Sequence, residues 1–119
     1  MENIKLFDSE LKLMEILWGN EPISARDISL IAAKSLGWNK NTTYTVINKL
    51  VGKKYVLRSE PNFICTSTIR KEDVAASETK NLIEKLYEGS KKAFFAAFIQ
   101  DGSLTDEELD DLKKLIEKR

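Results

Sequence analysis

Apolar positions along this chain recur mostly at helical spacing, interrupted by one stretch that alternates like paired strands. Leu11, Met14, Leu17 and Trp18 fall on one face of a first helix, which is expected to begin near Asp8 or Ser9 and end at Gly19-Asn20. Asp8 and Ser9 are both suited to cap it. Trp18 is expected to anchor the core. Glu21-Pro22 breaks the chain, and Ile23 leaves room for a short strand. Ser24 then stands as an N-cap with Asp27 at the third helical position, and Ile23 is placed to staple onto Ile28. Ile28, Ile31, Ala32 and Leu36 make the buried stripe of this second helix, and Gly37 stops it.

A third helix is predicted from just after Trp38-Asn39 to about Lys53. At 100° per residue, Thr43, Ile47 and Leu50 share one side, flanked by Val46 and Val51. Asn41, Thr45, Asn48 and Gly52 lie opposite, with Thr42 and Lys49 beside them. One face packs; the other is polar and either uncharged or basic. Tyr55-Val56-Leu57-Arg58-Ser59 and Phe63-Ile64-Cys65-Thr66-Ser67 then flank the turn Glu60-Pro61-Asn62, which reads as a hairpin. Three helices closed by a hairpin make a winged helix-turn-helix. The fold class is therefore mainly α with a small β-hairpin (α+β), followed by a helical arm.

From residue 71 onward the pattern is helical throughout. Val74, Leu82, Ile83, Leu86 and Tyr87 supply apolar positions on a long helix that runs to about Glu88 before the break at Gly89-Ser90. Ala93 to Ile99 is the most hydrophobic run, ended by Asp101-Gly102. Thr105 starts a last helix, with Glu108 completing a capping box and Leu104 placed to staple onto Leu109. Leu109, Leu112, Leu115 and Ile116 line one side of it. These short helices have little partner surface of their own. Each of their apolar side chains is worth about 1.5–3 kcal/mol only when fully covered, and a second copy of the chain is the simplest cover. The expected organisation is a winged domain over residues 1–70 and a dimerisation region over 71–119. Leu82, Leu86, Phe94, Phe95, Phe98, Leu109, Leu112, Leu115 and Ile116 are its candidate interface.

Charge sharpens this division. The net charge is zero, yet residues 1–70 hold 10 Lys and Arg against 7 Asp and Glu, while residues 71–119 hold 9 against 12. Within Ile28–Ser59 there are six basic residues and no acid at all, so a polyanion lying there meets no carboxylate. Histidine is absent and there is one cysteine, Cys65. That removes the commonest general base and the commonest zinc ligand. Neither catalysis, nor a metal, nor a cofactor is expected, and Cys65 reads as a small packing residue. A lone thiol and a first segment interrupted by charges fit a cytoplasmic protein without a leader or membrane span.

In a winged architecture the third helix enters the major groove. Asn41 and Asn48 are suited to adenine edges, and Thr42, Thr43 and Thr45 offer hydroxyls to phosphates or methyls to thymine. Lys40, Lys49, Lys53 and Lys54 are placed to neutralise phosphates, with Arg58 where a wing begins to follow the backbone. Tyr44 sits at the flank, either on the backbone or finishing the core. Double-stranded DNA is the expected partner. The competing class is a winged-helix adaptor that binds another protein through its C-terminal helices.

Ile16-Leu17-Trp18, Gly37-Trp38, Thr42-x-x-Thr45, Leu50-x-x-Lys53 and Leu104-Thr105-x-Glu107-Glu108-Leu109 together resemble the penicillinase and methicillin-resistance repressors (the BlaI/MecI/CopY family). The resemblance covers essentially the whole chain. It implies a homodimeric winged-helix repressor of antibiotic-resistance genes that binds a palindromic operator with a TACA…TGTA core. It further implies that Asn41, Thr42 and Tyr44 occupy DNA-contacting positions, with Thr45 alongside. Asn39-Lys40-Asn41-Thr42 departs from the common family pattern Ser-Pro-Lys-Thr. The paired Cys-x-Cys motifs of the copper-responsive branch are absent. In the β-lactam branch a membrane-bound sensor metalloprotease cuts between Asn and Phe, and that bond corresponds here to Ala97–Phe98.

Overall fold

The computed structural model of the chain describes residues 3–119. The described elements are α1 (Asp8–Asn20), β1 (Ile23–Ser24), α2 (Ala25–Leu36), α3 (Lys40–Gly52), β2 (Val56–Ser59), β3 (Ile64–Ser67), α4 (Lys71–Tyr87), α5 (Lys91–Gln100) and α6 (Asp106–Glu117). The chain divides into two compact units, one ending at Glu78 and the other spanning Thr79–Arg119. The division falls within α4, beyond the change of charge and periodicity between Ser67 and Lys71.

In the first unit, Leu13, Met14 and Leu17 of α1, Ala25 and Ile28 of α2, and Val46, Ile47 and Leu50 of α3 form one core closed by Val56 and Cys65 of the hairpin. Trp18 packs on its margin, and its indole N–H donates to the Ile69 carbonyl at 2.9 Å. Burying a Trp edge is favourable when its one polar group finds an acceptor. The sheet is antiparallel with order β1-β3-β2. Ile23 pairs with Cys65, and Val56, Leu57, Arg58 and Ser59 pair with Ser67, Thr66, Cys65 and Ile64. Glu21 ties the α1–β1 connection to the central strand β3, accepting from the Ser67 N–H at 2.7 Å.

Local signals explain most of the boundaries. Ser24 Oγ accepts from the Asp27 N–H at 3.0 Å and starts α2. Gly37 ends it at φ 70°, and the Trp38 N–H returns to the Ala32 carbonyl. The start of α1 differs from expectation. Neither Asp8 nor Ser9 caps it; Phe7 is the N-cap residue, and the Glu10 carboxylate reaches back to the Phe7 N–H at 2.8 Å. The glutamate at the third helical position satisfies the N–H of the N-cap residue, the half of a capping box that needs no short polar side chain at the cap. The first turns of α4 join the winged unit through Val74 and Ser77, both buried. The Ser77 hydroxyl accepts from the Ile4 N–H at 3.0 Å.

In the second unit α4 ends as Glu88 and Gly89 turn left-handed, and the Gly89 N–H donates to the Ile83 carbonyl. Ser90 caps α5 by accepting from the Ala93 N–H. Thr105 and Glu108 form the reciprocal capping box of α6. Tyr87, Phe94, Phe95 and Phe98 make an aromatic cluster with ring centroids 5.3–6.2 Å apart. Neither α5 nor α6 contains a buried residue.

The α2–α3 turn supplies a clean test. A Cβ on Gly37 would meet no atom within 4 Å, so only the left-handed backbone opposes a side chain there. Gly37→Ala should therefore destabilise the winged unit by about 1–2 kcal/mol, read as a lowered urea midpoint with unchanged slope. An unchanged midpoint would show that this turn does not require φ above zero.

Candidate nucleic-acid interface

Asn39 is the N-cap of α3, its side-chain oxygen accepting from the Thr42 N–H at 2.8 Å. From that start Thr43, Val46, Ile47 and Leu50 turn inward and are buried. Lys40, Asn41, Thr42, Thr45, Asn48, Lys49 and Gly52 remain exposed on the other side. The Thr45 hydroxyl donates to the Asn41 carbonyl at 2.8 Å. A Cβ on Gly52 would also meet open space, so the exposed face ends in a flat step that a backbone can approach closely.

Of the eleven expected contact residues, Thr43 and Lys53 do not join this surface. Thr43 is fully buried, and its hydroxyl donates to the Asn39 carbonyl at 3.2 Å. With its one polar group satisfied inside the helix, it packs as a β-branched core residue. Lys53 follows the last turn of α3, where its ammonium lies 2.7 Å from Glu10 Oε1 and 4.8 Å from the Phe7 ring centroid. Its charge is committed to a carboxylate only 1 % exposed. A buried carboxylate needs such a partner, so Lys53 is an internal clamp between α1 and α3 and not a free phosphate contact.

Arg58 and Tyr44 belong to a connected array. Arg58 lies in β2 opposite Cys65, and its guanidinium carbon sits 3.6 Å from the centroid of Phe63. The Phe63 ring meets Tyr44 edge-on at 6.1 Å, and the Lys40 ammonium lies 5.7 Å from the Tyr44 centroid. Cations over aromatic faces are attracted by the ring quadrupole. Cation, ring, ring and cation thus run from the hairpin to the first turn of α3. Arg58 also donates to Glu60, which holds the Glu60 carboxyl below its ordinary value, chiefly through that hydrogen bond. Sequence reasoning missed Phe63 and Glu60. Strand alternation does not reach Phe63, which precedes β3 with left-handed backbone at φ 51°. Beside the array, Arg26, Ser29, Leu30, Trp38, Lys40 and Tyr44 line an open groove of about 390 Å³ between α2 and α3.

Residues 6–118 match the family described as penicillinase repressor. The chain belongs to that family. It is 26% identical over 117 residues to a penicillinase repressor from Staphylococcus aureus, covering 97% of this chain and 93% of the relative. It is 25% identical to the methicillin resistance regulatory protein MecI of Staphylococcus aureus strain N315, over 97% of this chain and 95% of that one. A penicillinase repressor from Bacillus licheniformis is 21% identical, over 96% and 91% of the two chains. In fold, this member of the penicillinase repressor family is similar to the solution structure of the DNA binding domain of the repressor BlaI, at TM-score 0.55 and 22% identity. That match covers 60% of this chain and 90% of the other. The monomeric form of Bacillus licheniformis BlaI, in complex with the blaP half-operator, gives a TM-score of 0.52 with the same identity and coverage. Among the described residues no helix is long and apolar enough to cross a membrane.

Cys65 lies beneath this surface with no exposed area, and burial raises its thiol to about 11 although Arg58 pulls the other way. A group held protonated in the native state ionises first in the unfolded chain. Its contribution is therefore full below about 9 and falls as pH rises toward about 11. Stability of the native protein should decline across that window more steeply than in Cys65→Ala, by up to about 1.4 kcal/mol per pH unit. Parallel urea unfolding at pH 8 and 10.5 gives the comparison, and equal slopes for the two proteins would refute the assignment.

Proposed function

We propose that this chain is a homodimeric transcriptional repressor that places α3 in the major groove of a palindromic operator and lays its hairpin along the phosphate backbone. The observation that carries this reading is the exposed face of α3. It presents Asn41, Thr42, Thr45, Asn48 and Lys49 within a 32-residue stretch that contains no acid. Amides and hydroxyls at that face suit base edges; Lys40, Lys49 and Arg58 suit phosphates. Family membership over residues 6–118 supports the same role.

Dimerisation belongs to the second unit in this reading. Phe95, Phe98, Ile99, Leu112, Leu115 and Ile116 are exposed and, with Arg119, surround an apolar groove of about 480 Å³. Leu82 and Leu86 of α4 are exposed too, while Phe94 and Leu109 are half-buried. A patch of this kind favours a partner surface, and an isologous contact would let two copies of α3 meet two operator half-sites.

Relief of repression is proposed to occur by cutting at Ala97–Phe98. That bond lies in α5, whose ten residues include none that is buried. An isolated helix this short is marginal in water, so α5 can open to the extended form a protease requires. The cut leaves the winged unit whole while removing α6 from it. The linked gain from holding both half-sites is then lost.

Asn41→Ala or Thr42→Ala should cost about 1–3 kcal/mol on the operator and little on random duplex. Lys49→Ala should weaken both and flatten the salt slope by about one unit. Fluorescence anisotropy over a salt series measures these effects; unchanged operator affinity in both α3 variants would remove α3 as the reader.

The full-length chain should sediment as a dimer at micromolar concentration, and both Leu115→Glu and the chain cut at Ala97–Phe98 should sediment as monomers. A monomeric wild-type protein would sink the assembly. Intact repressor recovered from fully induced cells would sink the proteolytic step.

A further inference from the structure

We propose that Glu60 is an intramolecular competitor for the Arg58 guanidinium, occupying in the free protein the place that a DNA phosphate takes in the complex. The inference rests on the DNA-binding reading above and adds a residue to it. Arg58 has two neighbours of different kinds. The ring of Phe63 lies against its guanidinium at 3.6 Å, and the carboxylate of Glu60 accepts from its Nε. Only the second is an anion, and only the second can be exchanged for another anion.

The ring contact is built into the fold. Asn62 and Phe63 both adopt left-handed backbone, at φ 75° and 51°, which turns the Phe63 ring back toward β2. A bulky residue holds that conformation only when its surroundings over-determine it. Here the Phe63 carbonyl accepts from the Ala25 N–H at 2.9 Å, and its ring packs against the core margin and Tyr44. Phe63 is thus a positioning residue that fixes the guanidinium whether or not Glu60 is engaged.

The ion pair is of the opposite character. The Arg58 and Glu60 side chains are 46% and 59% exposed. Pairs this wet are weak and screened by salt, so a phosphate oxygen can displace the carboxylate without rearranging the hairpin. Glu60 is also the first acid after the acid-free stretch that ends at Ser59. It brings a carboxylate of the same chain against the exposed end of the basic surface, whereas Glu10 meets Lys53 from the buried side. While Glu60 is bound, one cation is withdrawn from the field that attracts a polyanion. Because phosphate contacts carry no sequence information, this restraint lowers affinity for all duplexes alike.

The test is a double-mutant cycle on the full-length protein, with Glu60→Gln, Arg58→Gln and the double variant titrated against operator and random duplex across a salt series. Glu60→Gln should bind both duplexes about 2–5-fold more tightly. Arg58→Gln should weaken both and reduce the salt slope by about one unit. In the Arg58→Gln background the Glu60→Gln gain should disappear. A gain of equal size in that background would show general repulsion by Glu60 and overturn the proposal, as would no gain in the single variant. Absence of salt-dependent duplex binding by the wild-type protein would instead remove the DNA-binding reading itself, and the proposal with it.

Discussion

Ile47 and Leu50 are fully buried where α3 packs against α1, α2 and the hairpin, and that burial fixes the roll of α3 about its own axis. Successive helical residues differ by 100°, so a slip of one position would carry Asn48 into the buried place of Ile47 and Leu50 out to the exposed place of Lys49. Each misplacement costs transfer energy and leaves an amide without partners. The polar face is therefore held outward by the apolar one. The clamp at the far end strengthens this. Glu10 joins the Phe7 N–H to the Lys53 ammonium, tying the first turn of α1 to the residue that ends α3. Its other oxygen, Oε2, has no hydrogen-bond partner among the described residues. That makes the Lys53 contact the more necessary, because the carboxylate would otherwise be buried and nearly alone.

The first unit was legible where a signal is local. Ser24 with Asp27, Gly37, and Asn39 ahead of Lys40 set the helix boundaries because each acts within one turn of its own position. The hairpin was legible from alternation and its Pro-Asn turn, and Ile23 does pair as a third strand. What could not be read depended on partners far along the chain. Lys53 looked like any other lysine of the basic run, since Glu10 lies 43 residues away. Thr43 carried two signals, a core position by periodicity and a hydroxyl by type; its bond to the Asn39 carbonyl decided for the core. The link from Phe63 to Tyr44 needed the backbone turn after Asn62, which composition does not specify.

The second unit shows the reverse relation. Its capping box, its serine cap and its glycine stop all follow from the sequence, yet these local devices leave its apolar side chains uncovered. Capping fixes where helices start and end, but it does not cover their apolar faces, and most of a helix's stability comes from such packing. Secondary structure and tertiary stability are separable properties here. The winged unit has both, with a core that includes Leu13, Met14, Leu17 and Ile28.

Thr45 is exposed on α3, but its hydroxyl proton is already spent on the Asn41 carbonyl one turn back. The hydrogen-bond grammar of that position is thereby halved. Outward it offers a methyl group and oxygen lone pairs, and nothing to give. A neighbouring group must donate to it or press a hydrocarbon against it, so a carbonyl or ring nitrogen at that spot would go unanswered. The helix thus discriminates before any partner arrives, through a bond made entirely within its own backbone turn.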